Sequence, residues 1–130
     1  MTAVREPVNV SRIVKDWLKA ELAPRFPELT VALELPSNWK LGSGPVLVIA
    51  DDGSPMGMYP VATSPTIRGT SWTSGREPKY VSAAVGALLS KRVPGIGSIL
   101  PGTLLLDAGR DSKNNGDLSS FTVRTRARTQ

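Results

Sequence analysis

The chain has 130 residues, is 40% hydrophobic and 21% charged, and carries a formal charge of +5, which suits one domain with a real core. It contains no Cys and no His, which excludes disulfides, thiol redox chemistry, the common zinc sites and nucleophile systems built on Ser-His-Asp or Cys-His. Three of the five excess charges are Arg124, Arg126 and Arg128, in a terminal stretch without acids, whereas a general nucleic-acid binder carries a broader basic patch.

The first residues, MTAVREPVNV, lack the apolar segment of a signal peptide. The longest unbroken apolar run, Val46 to Ala50, is too short to span a bilayer, so a protein that works in solution with no membrane partner is expected. From Asn9 onward, Val10, Ile13, Val14, Trp17, Leu18 and Leu22 recur at helical spacing, with charged residues between them. The pattern predicts an amphipathic helix of roughly four turns. Asn9 or Ser11 would cap it, Trp17 would anchor it on the core and Pro24 would end it.

Three strand-like segments follow: LTVALEL (29–35), VLVIADD (46–52) and PTIRGTSWT (65–73). The uninterrupted apolar run of the second predicts a central strand covered on both faces. Gly69 and Ser71 in the third depart from the β-branched pattern. The link PSNWKLGSG carries Trp39 outside any periodic pattern, as an interface anchor or as local packing.

A second helix is expected over about 78–93, with Tyr80, Val81, Ala84, Val85, Leu88 and Leu89 as its apolar stripe. Ser74 and Glu77 have the spacing of a capping box, and Ala83, Gly86 and Ala87 add a small-residue surface. After a loop PGIGSILPG come TLLLDAG (103–109) and SSFTVRTRART, two strands joined through the Asn-Gly turn of RDSKNNGDL. The whole predicts a single α+β domain over residues 1–130, in the order α-β-β-β-α-β-β. One mixed or antiparallel sheet of about five strands has the two main helices packed against it.

Little in this sequence offers chemistry. Asp51 and Asp52 before Gly53 resemble a metal or acid/base pair but read better as a turn, and no third carboxylate supports them. Gly42-Ser43-Gly44 and Gly95-Ile96-Gly97 do not continue into a phosphate-binding motif. Tyr80 with Lys79 or Lys91 would be a base system, but Tyr80 lies on the apolar stripe. No catalytic residue, metal site or cofactor is expected, and the chain reads as a non-enzyme.

In the last segment Phe121, Val123, Thr125 and Ala127 share one strand face, while Thr122, Arg124, Arg126 and Arg128 share the other. No aromatic interleaves the arginines, which argues against stacking on single-stranded nucleic acid. Twelve extended residues from Ser119 would reach about 40 Å, twice a common strand. Residues 125–130 are therefore expected to outrun the sheet as an extension that meets a neighbouring subunit.

Taken together, VxxIVxxWLxxEL (10–22), ELPxxW (34–39), VLVIADDG, PTIRGTSW, AAVGALLSKR and TVRTRAR resemble the tail terminator proteins of actinobacteriophages, similar in role to those of lambda-like siphophages. The resemblance covers roughly residues 8–128 and rests on element order and scattered phrases. It implies a structural virion protein of the neck, made in the host cytoplasm. Six copies would form a ring on the head-proximal end of the tail tube, stop its polymerisation and present the surface that joins the head-completion or connector protein. Genomic DNA would pass through the lumen without sequence-specific binding. Arg68, Arg124, Arg126, Arg128 and Trp39 are then the candidates for subunit interface or lumen, with subunit contacts favoured for most of the arginines because a strongly basic lumen would hold DNA. The alternatives are another neck component (head-closure or connector protein), a tail-tube subunit and, less well supported, a DNA-binding regulator.

Overall fold

Helix α1 spans Val10–Leu22 in a computed structural model that describes residues 9–52, 62–63, 66–75, 77–106 and 108–128. The Asn9 side chain caps it as expected, its Oδ1 accepting the Arg12 amide at 3.1 Å and the Ser11 hydroxyl at 2.9 Å. The buried face is Val10, Val14, Leu18 and Leu22; Trp17 is only half-buried at the rim of the core, so Leu18 is the deeper anchor.

The strands are β1 (Thr30–Ala32), β2 (Val46–Asp51), β3 (Ala62–Thr63), β4 (Thr66–Thr73), β5 (Ser98–Leu105) and β6 (Asp117–Arg128), with α2 (Lys79–Ser90) between β4 and β5. Across the sheet the order is β1-β2-β4-β6-β5, with β1 parallel to β2 and every other pair antiparallel. The two-residue β3 pairs with β6 in the register of β4: Thr63 faces Ala127 and Thr66 faces Arg124. It therefore prolongs β4 rather than adding a ribbon. The fold is α+β with a mixed sheet five ribbons wide, in the order α-β-β-β-α-β-β once β3 is counted with β4.

Both helices pack on one face of this sheet, where Leu47, Ile49, Ile67, Phe121 and Val123 meet Val14 and Leu18 of α1 and Val81, Ala84 and Leu88 of α2. β2 lies one ribbon in from the edge, and its two-sided cover is complete at Val46 and Leu47 but thins to half-burial at Val48 and Ala50. The departure at Gly69 has a steric reason. Gly69 lies opposite Phe121, and a Cβ there would sit 2.2 Å from the Phe121 ring, so the phenyl group occupies the space a side chain would take. Ser71, the next inward position, is buried with its hydroxyl unpaired, a local cost of about 1–3 kcal/mol.

Four local expectations change. β1 keeps only three residues of the segment 29–35. β5 begins at Ser98, inside the stretch that reads as a loop, and runs through Pro101-Gly102. An edge strand tolerates proline because one of its sides makes no ladder bonds. Ser74 accepts the Gly42 amide at 2.7 Å instead of forming a capping box, and α2 starts at Lys79 with Pro78 in the N-cap position and no side-chain cap. Finally, residues 125–128 do not overhang. They pair with Ser98 and Ile99 of β5 on one side and with β3 on the other, and Thr125 is 3% exposed. The rest of the expected extension, 129–130, lies outside the described residues.

Candidate assembly surface

The least ordinary surface of the molecule is the β5 edge. Leu100, Leu104, Leu105 and Leu106 are 51%, 46%, 54% and 42% exposed, in a stretch from Pro94 to Leu106 that holds no charged residue. On the described residues β5 pairs with β6 alone, so its outer backbone edge is open. Leu100 sits opposite Arg124 and Leu105 opposite Ser120, on the face away from the helices; Leu104 sits opposite Phe121, on the helix side. Leu89, 43% exposed, adds apolar area on α2, which packs against β5. Exposed leucine on both faces of an open sheet edge marks a surface for another polypeptide.

A bulge shapes this edge. The pairing of β5 with β6 shifts between Pro101 and Leu104, where the Thr103 amide donates to Thr122 Oγ1 at 2.8 Å and the two threonine hydroxyls lie 2.9 Å apart. Gly102 approaches so closely that a Cβ would stand 2.4 Å from Thr122 Oγ1 and 2.5 Å from its carbonyl oxygen. The bulge therefore needs glycine, and it divides β5 into two short straight pieces.

The arginines flank the edge on the face that no helix covers. Arg124 and Arg126 are exposed, opposite Leu100 and Ser98 of β5, and no carboxylate pairs with them among the described residues. Arg68 differs, because its Nε and Nη2 both reach Asp52 Oδ2 at 2.8 Å. That pair is open to water and contributes about 0–1 kcal/mol. Arg128 is placed by its backbone, opposite Ala62; its side chain lies outside what the structure describes.

Trp39 belongs elsewhere. It is 6% exposed, its indole nitrogen donates to the Gly44 carbonyl at 2.8 Å, and its ring lies against Gly116 beside Trp72. Its own chain covers it, so it is local packing and not an exposed interface anchor. Trp72 donates to Asp111 Oδ2 at 2.9 Å; that bond, followed by the Lys113 amide, holds the Asp111 carboxyl below the usual carboxylate range. The Asn114 side chain accepts the Gly116 amide at 2.9 Å, and Asn115 takes φ +59°, so the Asn-Gly turn presses this loop onto the tryptophans.

The candidates for chemistry do not assemble. Asp52 is used by Arg68, and among the described residues no three acidic side chains converge as a metal site; Gly53 lies outside them. Tyr80 is buried against Phe26, ring centroids 5.1 Å apart, and burial, with Glu28 and Glu77 nearby, pushes its hydroxyl up to about 12. That direction is wrong for a base. Lys79 stacks over its ring at 5.2 Å, and Lys91 pairs with Glu21 across the helices. Gly44 and Gly95 take φ of +97° and +91°, which is turn geometry. The small-residue face of α2 lines an open groove against α1, with Ser82, Gly86 and Ser90 facing Glu21 and Arg25. Among the described residues no helix is long and apolar enough to cross a membrane.

Sequence reasoning found the arginine face by its alternation and missed the leucine edge, whose signal was the charge-free run from Pro94 to Leu106. No protein-family model and no curated protein matches the chain.

Proposed function

We propose that this chain is a structural subunit of a siphophage neck, a tail terminator. Its copies close into a six-membered ring on the head-proximal end of the tail tube, halt tube growth and offer the joining surface to a head-completion or connector protein. The observation that carries the reading is the β5 edge, open among the described residues, with Leu100, Leu104 and Leu105 half-exposed and Arg124 and Arg126 without a described carboxylate partner beside it. A chain that works alone would hide such an edge. The element order that underlies the resemblance adds support, and cyclic symmetry would repeat each basic patch around a common axis.

In this reading DNA passes through the ring without base readout. Arg124 and Arg126 contact the adjoining subunit, and Arg68 is neutralised by Asp52 within its own chain. Native mass measurement and particle imaging, with and without isolated siphophage tail tubes, test the proposal. Rings that cap tube ends and stop their growth are expected. Unlimited tubes from this chain alone would make it a tube subunit, and location in the capsid or distal tail tip would overturn the reading. A monomer that binds duplex DNA with steep salt dependence would make it a regulator.

A further inference from the structure

The sheet ends on two strands of opposite character, and among the described residues neither edge is closed by the chain itself. On the described residues nothing pairs with β1 beyond β2, or with β5 beyond β6. The segment around β1, residues 26–36, holds Glu28 and Glu34 and no cation, with Arg25 just before it; Glu28 accepts from the Tyr80 hydroxyl at 3.5 Å, which leaves Glu34 as the carboxylate with no partner among the described residues. The part of β6 that flanks β5, residues 119–128, holds three arginines and no acid. Glu28 and Glu34 are exposed, as are Arg124 and Arg126.

We propose that copies of this chain add head to tail through these edges, with the Ser98–Leu100 piece of β5 in one copy pairing with Thr30–Ala32 of β1 in the next. This rests on the assembly reading above for the ring itself, and goes beyond it in naming the seam. Charge selects the partner edge. Two β5 edges brought together would place two sets of arginines along one seam, whereas a β1 edge brings no cation from its own strand and offers them the Glu34 carboxylate. Arg124 and Arg126 lie one strand inside the edge, so an added strand stands roughly 10 Å from their backbone, within reach of extended arginine and glutamate side chains.

Strand direction agrees. β1 runs with β2, and three successive antiparallel pairings leave β5 running opposite to β1. Copies related by rotation about an axis along the strands keep these directions, so β5 meets the next β1 in antiparallel pairing, the slightly stronger ladder. The bulge after Pro101 fixes the extent of the contact, since the straight piece before it matches the three residues of β1. Two different patches make a heterologous contact, which closes into a ring or continues as a filament according to the rotation between copies.

The chain has no cysteine, so engineered pairs report without background. Thr30 lies opposite Val46 and Leu100 opposite Arg124, both on the helix-free face; Leu104 lies on the helix face and past the bulge. A disulfide needs Cβ atoms about 3.5–4.5 Å apart, which neighbouring antiparallel strands provide on a shared face. Oxidation of the Thr30→Cys/Leu100→Cys double variant should give a ladder of linked multimers, and mixed single variants should give linked pairs. Thr30→Cys/Leu104→Cys should stay unlinked. Because Thr30 and Leu100 are exposed, these variants keep the core intact. Native mass measurement on the same samples separates the ideas. Closed rings without links would overturn the seam and leave the ring. Links in open chains would keep the seam and overturn the ring. Leu100→Cys linking with itself, or no linking and no assembly at all, would overturn head-to-tail addition.

Discussion

The two faces of β6 do different work. From Phe121 onward, Phe121, Val123 and Thr125 are buried on the helix side, while half-buried Thr122 and exposed Arg124 and Arg126 alternate with them on the other face; nearer the start of the strand Ser119 and Ser120 are both buried. The backbone is the same and only parity differs. The lesson is that one strand can hold a core together and equip a surface at once, so substitutions over residues 121–126 should sort by odd and even position into losses of stability and losses of assembly.

The harshest way to break that comparison is to delete residues 125–130. Deletion removes buried Thr125 and the pairing with β5 and β3, so it should abolish the cooperative thermal transition seen by circular dichroism, a loss comparable with a domain's whole stability of about 5–15 kcal/mol. An unchanged midpoint would return this end to the status of a dispensable arm. Next, Phe121→Ala should cost about 3–5 kcal/mol in denaturant unfolding, because the ring is fully buried over Gly69.

Gly69→Val should cost about 1–3 kcal/mol by pushing that ring aside. In the Gly69→Val/Phe121→Ala double variant the losses should fall short of additivity, since the ring that clashes is gone. A smaller effect is expected at the tryptophan end. Asp111 has its folded pKa lowered, chiefly by the Trp72 indole N–H, so its stabilising share is present above the unfolded carboxylate value of about 3.9 and is lost as pH falls through the folded value. Melting curves of the native chain and Asp111→Asn should differ near neutral pH and converge in acid. Smallest for the fold is Arg124→Ala/Arg126→Ala, which should move stability by no more than about 0.5 kcal/mol while weakening assembly measured by native mass.

Much of the architecture was legible because its local signals agreed. Asn9 and the spacing from Val10 to Leu22 announce α1, the apolar run from Val46 announces β2, and the parity of β6 is written in its alternation. The misreadings share a cause, which is that punctuation residues are ambiguous without the neighbour strand. Pro101 and Gly102 read as a loop, yet at an edge proline forfeits no ladder bond on its open side, and Gly102 is required by Thr122 across the bulge. The length of β6 suggested an overhang because nothing in 62–63 or 98–99 identifies those residues as its partners. Of the candidate site, Arg124 and Arg126 were visible, whereas the placement of Trp39 depended on Gly116, distant in sequence.

The tryptophan closure also makes the protein its own optical probe. Of three tryptophans, Trp39 and Trp72 share the contact with Gly116 and both spend their indole hydrogens on internal acceptors. Emission from these two reports whether the 33–44 and 108–116 loops are seated on the sheet, while the half-buried Trp17 reports α1. Selective replacement of Trp17 by Phe would leave a signal confined to this end of the sheet, where Val46 lies between Trp72 and Thr30, so that one emission band reports both the seating of these loops and the β1 side of the seam.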